Sequence, residues 1–80
     1  MIRPNQPFTG RVLFFFPSGE RIVKPDGTKN VYLVTLPENV KALIGDHIYI
    51  TPRSVIGKHI DAVYAAILDE GERPEPPEPL

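Results

Sequence analysis

The sequence predicts a small domain built mainly from β-strands, on three observations. Strand-length runs of β-branched and aromatic residues recur along the chain, and such residues suit a pleated, half-buried surface. Proline, glycine or Asp-Gly turn signals close the runs. Residues 27–52, GTKNVYLVTLPENVKALIGDHIYITP, combine a strand, a corner, a Gly-Asp step and a second strand. We expect the other strands to lie against this unit.

Composition is that of one globular domain. The 80 residues suffice for one small core, and 41% hydrophobic with 24% charged residues is an ordinary balance for a folded domain. The apolar runs are too short to cross a bilayer, residues 1–10 do not have the pattern of a secretory signal, and the chain contains no cysteine. We therefore expect an intracellular protein, in the cytoplasm, with the nucleus as an alternative.

Charge is unevenly distributed along the chain. The net charge of −1 lacks the basic excess that most nucleic-acid-binding proteins show. Acidic residues crowd the end of the chain, however, and the part before them is mildly basic. Residues 71–80, GERPEPPEPL, cannot bury apolar surface and are predicted to form a disordered or polyproline-like acidic tail.

The first part of the chain predicts an arm followed by two strands. Residues 1–9 show no periodicity and are expected to form an extended arm. Residues 10–16, GRVLFFF, predict the first strand, and a Pro-Ser-Gly sequence ends it. A shorter second strand is predicted over residues 20–24. Residues 25–28, PDGT, predict a tight turn, because proline presets the first corner angle and glycine accepts a positive φ.

The middle of the chain predicts two strands around a short helical turn. Residues 30–36, NVYLVTL, form the predicted third strand. Residues 38–44 have enough helical periodicity for about two turns that could plug one end of a small sheet. Residues 47–51 alternate as a fourth strand, which Pro52 is expected to close. The apolar residues at helical spacing are Val40, Leu43 and Ile44.

The last element is ambiguous from its periodicity. Residues 54–70 match an amphipathic helix, with Ser54 as N-cap and Gly71 as stop signal. The same residues also alternate as a strand would, and Gly57 interrupts the helical pattern. The sequence therefore leaves two architectures open: an all-β domain, or an α+β domain in which a C-terminal helix lies on an open sheet. The alternating residues are Ile60, Ala62, Tyr64, Ala66 and Leu68.

Five segments occur in the order expected of one known type of barrel. They are residues 10–13 (GRVL), 26–27 (DG), 32–37 (YLVTLP), 45–50 (GDHIYI) and 57–68. Together they resemble the S1-like form of the OB fold, as found in translation initiation factor 1A and its relatives. The resemblance covers residues 10–70. It implies a five-stranded OB-type barrel with a short helical turn between strands three and four, and makes residues 57–68 the fifth strand.

The same resemblance implies an RNA-binding module that acts on or near the small ribosomal subunit, through the barrel face and the loops around it. The chain departs from the family in three respects: it lacks a basic run after the third strand, its corner between Leu43 and Gly45 is shorter, and it has no basic N-terminal tail. Family members carry a strongly basic run after the third strand, whereas residues 37–41, PENVK, hold one lysine and one glutamate. Each missing cation removes a phosphate contact and its counterion release.

Aromatic and cationic side chains supply the candidate RNA contacts. In a regular strand Phe14 and Phe16 share one face, which we expect to be core, and Phe15 takes the other face as a stacking residue. Tyrosines suit a barrel face because the hydroxyl can stay in water. The predicted RNA-binding residues are Arg11, Phe15, Arg21, Lys24, Lys29, Tyr32, Lys41, Tyr49, Arg53 and Lys58.

Patterns for catalysis and metal binding are missing from the sequence. His47 and His59 have no cysteine and no carboxylate at ligand spacing, and neither Ser18 nor Ser54 belongs to a triad pattern. We predict a protein that is not an enzyme and has no cofactor. One alternative is a small-barrel protein-interaction or assembly module, whose acidic Pro-rich tail would offer a site for a protein partner. Another is a swapped-hairpin DNA-binding regulator, since residues 36–50 have a Leu-Pro, short helix, Gly-Asp, strand order.

Overall fold

The computed structural model describes residues 2–68, which form a closed barrel of five strands. The strand order around the barrel is β1-β2-β3-β5-β4, as in an OB-type barrel. The all-β prediction is confirmed, and the alternative with a C-terminal helix is wrong, because residues 59–67 form a strand. The predicted tail at residues 71–80 lies outside the described residues. The strands are β1 Phe8–Phe15, β2 Glu20–Pro25, β3 Tyr32–Thr35, β4 His47–Ile56 and β5 His59–Ile67.

Four of the five strand pairs are antiparallel, and β3 pairs with β5 in parallel. β1 pairs with both β2 and β4, so it joins the β1–β2 hairpin to the β4–β5 hairpin and closes the barrel. A side chain at Gly10 would not fit there: a Cβ atom would lie 2.8 Å from the Lys24 carbonyl oxygen and 2.9 Å from Val23 Cγ1. The inward residues fill the barrel with small and β-branched side chains. The buried core consists of Val12, Val23, Val34, Leu36, Val40, Ala42, Ile48, Ile50, Ile60, Ala62 and Ala65.

A bulge at Leu13 reverses the facing of the phenylalanine run. Val12 lies opposite Val23, but the next pair in the ladder joins Phe14 to Ile22, so Leu13 is the extra residue. Val12 is buried, whereas the side chain of Phe14, two residues on, faces outward and is 49% exposed. The expectation that Phe14 belongs to the core is therefore wrong, because it assumed unbroken alternation.

Pro52 lies within a strand, although we expected it to end one. β4 continues to Ile56, and the register with β5 shifts on both sides of Pro52. The shift accommodates a residue that has no amide hydrogen to donate to the ladder. The carbonyl oxygen of Pro52 instead accepts a hydrogen bond of 2.8 Å from the amide of Asn5, which attaches the N-terminal arm to the barrel. Ile2 also packs against the core.

A second bulge explains why the periodicity of β5 was ambiguous. Thr51 pairs with Tyr64 and Pro52 pairs with Ala62, so Val63 is the extra residue. The buried positions are Ile60, Ala62 and Ala65 rather than a regular every-second series, and Tyr64 is exposed. Because of the bulge, the buried residues Ala62 and Ala65 are three positions apart, which is a spacing typical of one face of a helix.

The segment between β3 and β4 contains two separate turns in place of the predicted helical turn. The amide of Val40 donates to the Pro37 carbonyl oxygen at 3.0 Å, and the amide of Asp46 donates to the Leu43 carbonyl oxygen at 3.0 Å. The segment does cap the barrel, through buried Val40 and Ala42, but Leu43 and Ile44 are exposed. The short helix that the swapped-hairpin alternative requires is not among the described residues. No helix in residues 2–68 has the length and apolar character needed to cross a membrane.

Candidate nucleic-acid interface

One transverse row of outward side chains crosses four neighbouring strands. Phe14 pairs with Ile22, Ile22 with Leu33, and Leu33 with His59 at the start of β5. Paired residues point to the same side of a sheet, and the adjacent pair Val12–Val23 points inward. The row therefore lies on the outer surface, where Ile22 and Leu33 are half-buried and Phe14 and His59 are exposed. The rings of Phe14 and Phe16 meet edge to face with centroids 5.0 Å apart, which leaves an aromatic surface at one end of the row.

A second outward row places two cations beside this aromatic surface. Arg11 pairs with Lys24 on β2 and with His47 on β4, and the Arg11 and Lys24 side chains are both exposed. We call the outer surface formed by Phe14, Ile22, Leu33, Arg11 and Lys24 the β1–β3 face. It offers a ring on which a base could stack and two cations that could contact phosphates.

A hydrogen-bonded cluster borders the β1–β3 face at its β4 side. One oxygen of Asp26, Oδ2, accepts from the Thr9 hydroxyl at 2.6 Å and contacts His47 Nε2 at 2.6 Å. The Thr9 bond, then the His47 bond and the nearby positive charge of Arg11, hold the pKa of Asp26 below its ordinary value. Arg11 Nη1 also donates to the Gly45 carbonyl oxygen at 3.0 Å, which orients its guanidinium. The cluster holds these side chains in place, and the lowered pKa keeps the Asp26 carboxylate ionised.

Arg21, a predicted RNA contact, has a structural position instead. Its side chain is buried, with 6% exposure, and Nε and Nη2 donate to the Ala42 carbonyl oxygen at 3.1 and 2.9 Å. Nη1 donates to the Gly19 carbonyl oxygen. Burial lowers the pKa of Arg21, but a guanidinium stays charged in proteins. These bonds fasten the segment between β3 and β4 to the barrel and hold the Arg21 guanidinium away from the outer surface.

Phe15 lies at the end of the barrel and not on the β1–β3 face. Its ring covers the Arg21 guanidinium, whose central carbon is 4.6 Å from the ring centroid. It borders an open groove of about 850 Å³ between the β1–β2 turn and the segment that follows β3. Lys41 lies on the same groove, apart from Arg11 and Lys24. The lining residues are Phe15, Ser18–Arg21 and Thr35–Lys41.

Three other predicted residues lie near the β3 edge of the face. Lys58, in the turn between β4 and β5, places its Nζ 5.0 Å from the ring centroid of Tyr32. The carbonyl oxygen of Lys58 accepts from the Leu33 amide at 2.8 Å, so this turn is fixed beside β3. Lys29 is exposed in the connection between β2 and β3. Lys58 thus extends the positive charge toward the β3 edge.

The remaining two candidates, Tyr49 and Arg53, lie on β4, outside the β1–β3 face. Tyr49 meets Tyr64 of β5 edge to face, with ring centroids 6.1 Å apart. Arg53 Nε lies 3.8 Å from Asp61 Oδ2, and both side chains are well exposed. Tyr49 pairs with Thr9 on β1, two residues from the Arg11–His47 pair, so it lies next to the row that contains Arg11. Arg53 lies toward the other end of β4 from His47, away from Arg11 and Lys24.

The structure thus brings together Arg11 and Lys24 and adds residues that we did not predict. Phe14, Ile22 and Leu33 complete the β1–β3 face, and His59 of β5 lies at its edge. Phe14 was assigned to the core because the bulge at Leu13 leaves no clear mark in the sequence. Ile22 shares a strand face with the charged residues Glu20 and Lys24, which was a usable signal for an outward residue on β2. Within residues 2–68 there is no group of three or more histidine or carboxylate side chains arranged to hold a metal ion.

Comparison of the sequence with models of known protein families and with curated proteins finds no match.

Proposed function

We propose that the chain binds single-stranded RNA across the β1–β3 face, as a module resembling translation initiation factor 1A that acts on or near the small ribosomal subunit. The observation that carries the proposal is the position of Phe14, an aromatic ring that is 49% exposed on the outer surface of an OB-type barrel. An aromatic ring that stacks on a base contributes about 1–3 kcal/mol to single-strand binding. A ring that served only packing would gain nothing from this exposure.

The cations next to Phe14 support the same reading. Arg11 and Lys24 pair across β1 and β2 one row away from the Phe14 row, and Lys58 lies at the β3 edge. Bases stacked on the ring would leave their phosphates within the range of these side chains. With two or three phosphate contacts, a plot of the logarithm of affinity against the logarithm of salt concentration should have a slope of about −1.4 to −2.1, since each contact on a single strand contributes about −0.7.

The test compares exposed aromatic residues on opposite sides of the barrel. Fluorescence anisotropy with a labelled twelve-nucleotide single-stranded RNA at low salt measures the dissociation constants of wild type, Phe14→Leu and the control Tyr64→Leu. Phe14→Leu is expected to weaken binding about tenfold, which corresponds to roughly 1.4 kcal/mol. Tyr64→Leu is expected to leave it unchanged. Equal effects of the two substitutions, or no RNA binding by wild type at low salt, would overturn the proposal.

Binding to small ribosomal subunits is measured separately, by co-sedimentation. Wild type is expected to pellet with the subunits, and the Arg11→Gln/Lys24→Gln variant is expected to stay in the supernatant at the same salt concentration. RNA binding without co-sedimentation would retain the nucleic-acid function and reject its ribosomal setting.

A second candidate function is that of a protein-interaction module without nucleic-acid binding. The observation in its favour is the exposure of apolar side chains on β5, namely Val63, Tyr64 and Ile67. Exposed apolar groups of this kind can mark a protein contact surface. Affinity capture with wild type and with Tyr64→Glu would separate the functions: loss of a defined partner with intact RNA binding supports an additional protein contact, and a partner in the absence of any RNA binding supports this candidate alone.

A further inference from the structure

The two parts of the chain carry opposite charge. Residues 1–68 contain eight Lys and Arg against five Asp and Glu, a net charge of +3. Residues 69–80 contain one arginine against five Asp and Glu, a net charge of −4. The net charge of −1 therefore hides a cationic barrel joined to a strongly anionic segment.

The chain leaves the barrel beside the cations of the β1–β3 face. The amide of Leu68 donates to the His47 carbonyl oxygen at 2.8 Å, so the end of the last strand is fixed at the level of His47. His47 pairs with Arg11, and Arg11 pairs with Lys24. Neighbouring strands lie about 4.8 Å apart, and three such steps from β5 to β2 amount to roughly 15 Å.

The length that follows is ample for this distance. Residues 69–80 are twelve residues, and even in a polyproline conformation of about 3.1 Å per residue they would span roughly 37 Å. Carboxylates spaced along this segment can therefore meet Arg11 and Lys24 without any change in the barrel. Four prolines among the same residues provide no amide hydrogens, which favours side-chain ion pairs over an added strand.

We infer that residues 69–80 dock on the β1–β3 face through their carboxylates and compete there with RNA for Arg11 and Lys24. This inference rests on the proposed function, because it assigns a regulator to the same surface. Carboxylates and phosphates require the same cations, so one must leave before the other can bind. The effective concentration of a segment tethered this closely is in the millimolar range, which makes weak ion pairs sufficient for competition.

The test uses the full chain with the acidic segment neutralised. The variant carries Asp69→Asn, Glu70→Gln, Glu72→Gln, Glu75→Gln and Glu78→Gln. At low salt its RNA affinity is expected to exceed that of wild type about fivefold to tenfold, and the gain is expected to vanish as salt is raised. In an Arg11→Gln/Lys24→Gln background, neutralisation is expected to produce little gain. A gain of equal size in that background would overturn the inference, since it would indicate a general effect of net charge.

A control variant keeps the five carboxylates and replaces the four prolines, Pro74, Pro76, Pro77 and Pro79, with alanine. Its RNA affinity is expected to equal that of wild type. A gain as large as that of the neutralised variant would show that charge is not the cause and would overturn the inference.

Docking is measured without RNA by NMR. Backbone amide spectra of wild type and the neutralised variant are expected to differ around Arg11, Lys24 and His47, and to coincide around Arg53, toward the other end of β4. Identical spectra throughout would overturn the inference. If wild type and the neutralised variant both fail to bind RNA while these spectral differences are present, the proposed function fails and the docked segment stands.

Discussion

The imidazole of His47 and the carboxylate of Asp26 are 2.6 Å apart, Nε2 to Oδ2, and this bond joins the start of β4 to the turn after β2 across β1. β1 itself takes part, because the Thr9 hydroxyl donates to the same Asp26 oxygen and the Asp26 amide donates to the Thr9 carbonyl oxygen at 2.9 Å. Three consecutive strands of the barrel are thereby linked through one carboxylate.

Asp26→Asn is expected to lower stability at neutral pH and to have little effect in acid. Because the hydrogen bonds hold the pKa of Asp26 below its ordinary value, its ionised form stabilises the fold above the unfolded-state pKa of about 3.9. That contribution is lost as the pH falls through the lower folded-state pKa. Urea unfolding of both proteins between pH 7 and pH 2 measures the difference. The control is Glu38→Gln, at an exposed carboxylate; a stability difference for Asp26→Asn that stays constant down to pH 2 would contradict this explanation.

Arg21→Met is expected to lower the free energy of unfolding by about 1–3 kcal/mol, since it leaves buried carbonyl oxygens without donors. Arg21→Lys should recover only part of this loss, because an ammonium cannot reproduce the two parallel bonds to the Ala42 carbonyl oxygen. Chemical denaturation gives both values. Lys24→Met, at the exposed outward position three residues along β2, is the matched control. Equal losses for the two methionine variants would show that the buried bonds contribute nothing specific.

Gly10→Ala is expected to destabilise the barrel by about 1–3 kcal/mol, because the new methyl group would press on the backbone of β2. The comparison variant is Gly27→Asn. Gly27 has a φ of 80° with open space around its Cβ position, and asparagine tolerates this conformation. Thermal unfolding should show a much larger decrease in Tm for Gly10→Ala. The reverse order would mean that β1 can move away from β2 without cost.

Asp46→Ala is expected to lower the free energy of unfolding by about 0.5–2 kcal/mol, the range found when a helix N-cap is removed. The reason is that Asp46 Oδ2 accepts a hydrogen bond from the Leu43 amide at 2.8 Å. Asp46→Asn keeps an acceptor at the same place and should retain most of the stability. Denaturation midpoints of the two variants decide the matter: if they are equal, the hydrogen bond to Leu43 is not what Asp46 contributes.

Residue patterns alone predicted the strands but not the positions where they shift register. The runs around Val12, Val34 and Ile48 were recognisable because β-branched and aromatic residues are concentrated there between proline and glycine turn signals. The bulges at Leu13 and Val63 were not, since an extra residue depends on how two strands twist around the barrel and not on the identity of the residue. Each bulge changed the facing of the aromatic residue that follows it.

The candidate site was predicted in part for a related reason. Arg11 and Lys24 were predicted because a lysine or arginine on a strand usually has its charged group in solvent. Arg21 has the same chemistry but is buried, and its partner Ala42 lies 21 residues away along the chain. The segment after β3 is not helical, because its backbone groups bond to side chains: the Ala42 carbonyl oxygen accepts from Arg21, and the Leu43 amide donates to Asp46.

The parallel pairing of β3 with β5 determines when the protein can fold during synthesis. Residues 33–35 of β3 pair with residues 59–61 of β5, so one edge of β3 stays open until the last strand has been made. Such long-range pairing is slow to form compared with hairpins, because a long loop must close before any contact is gained. The nascent chain therefore leaves the ribosome with exposed strand edges, and barrel closure must occur after translation has passed the final strand.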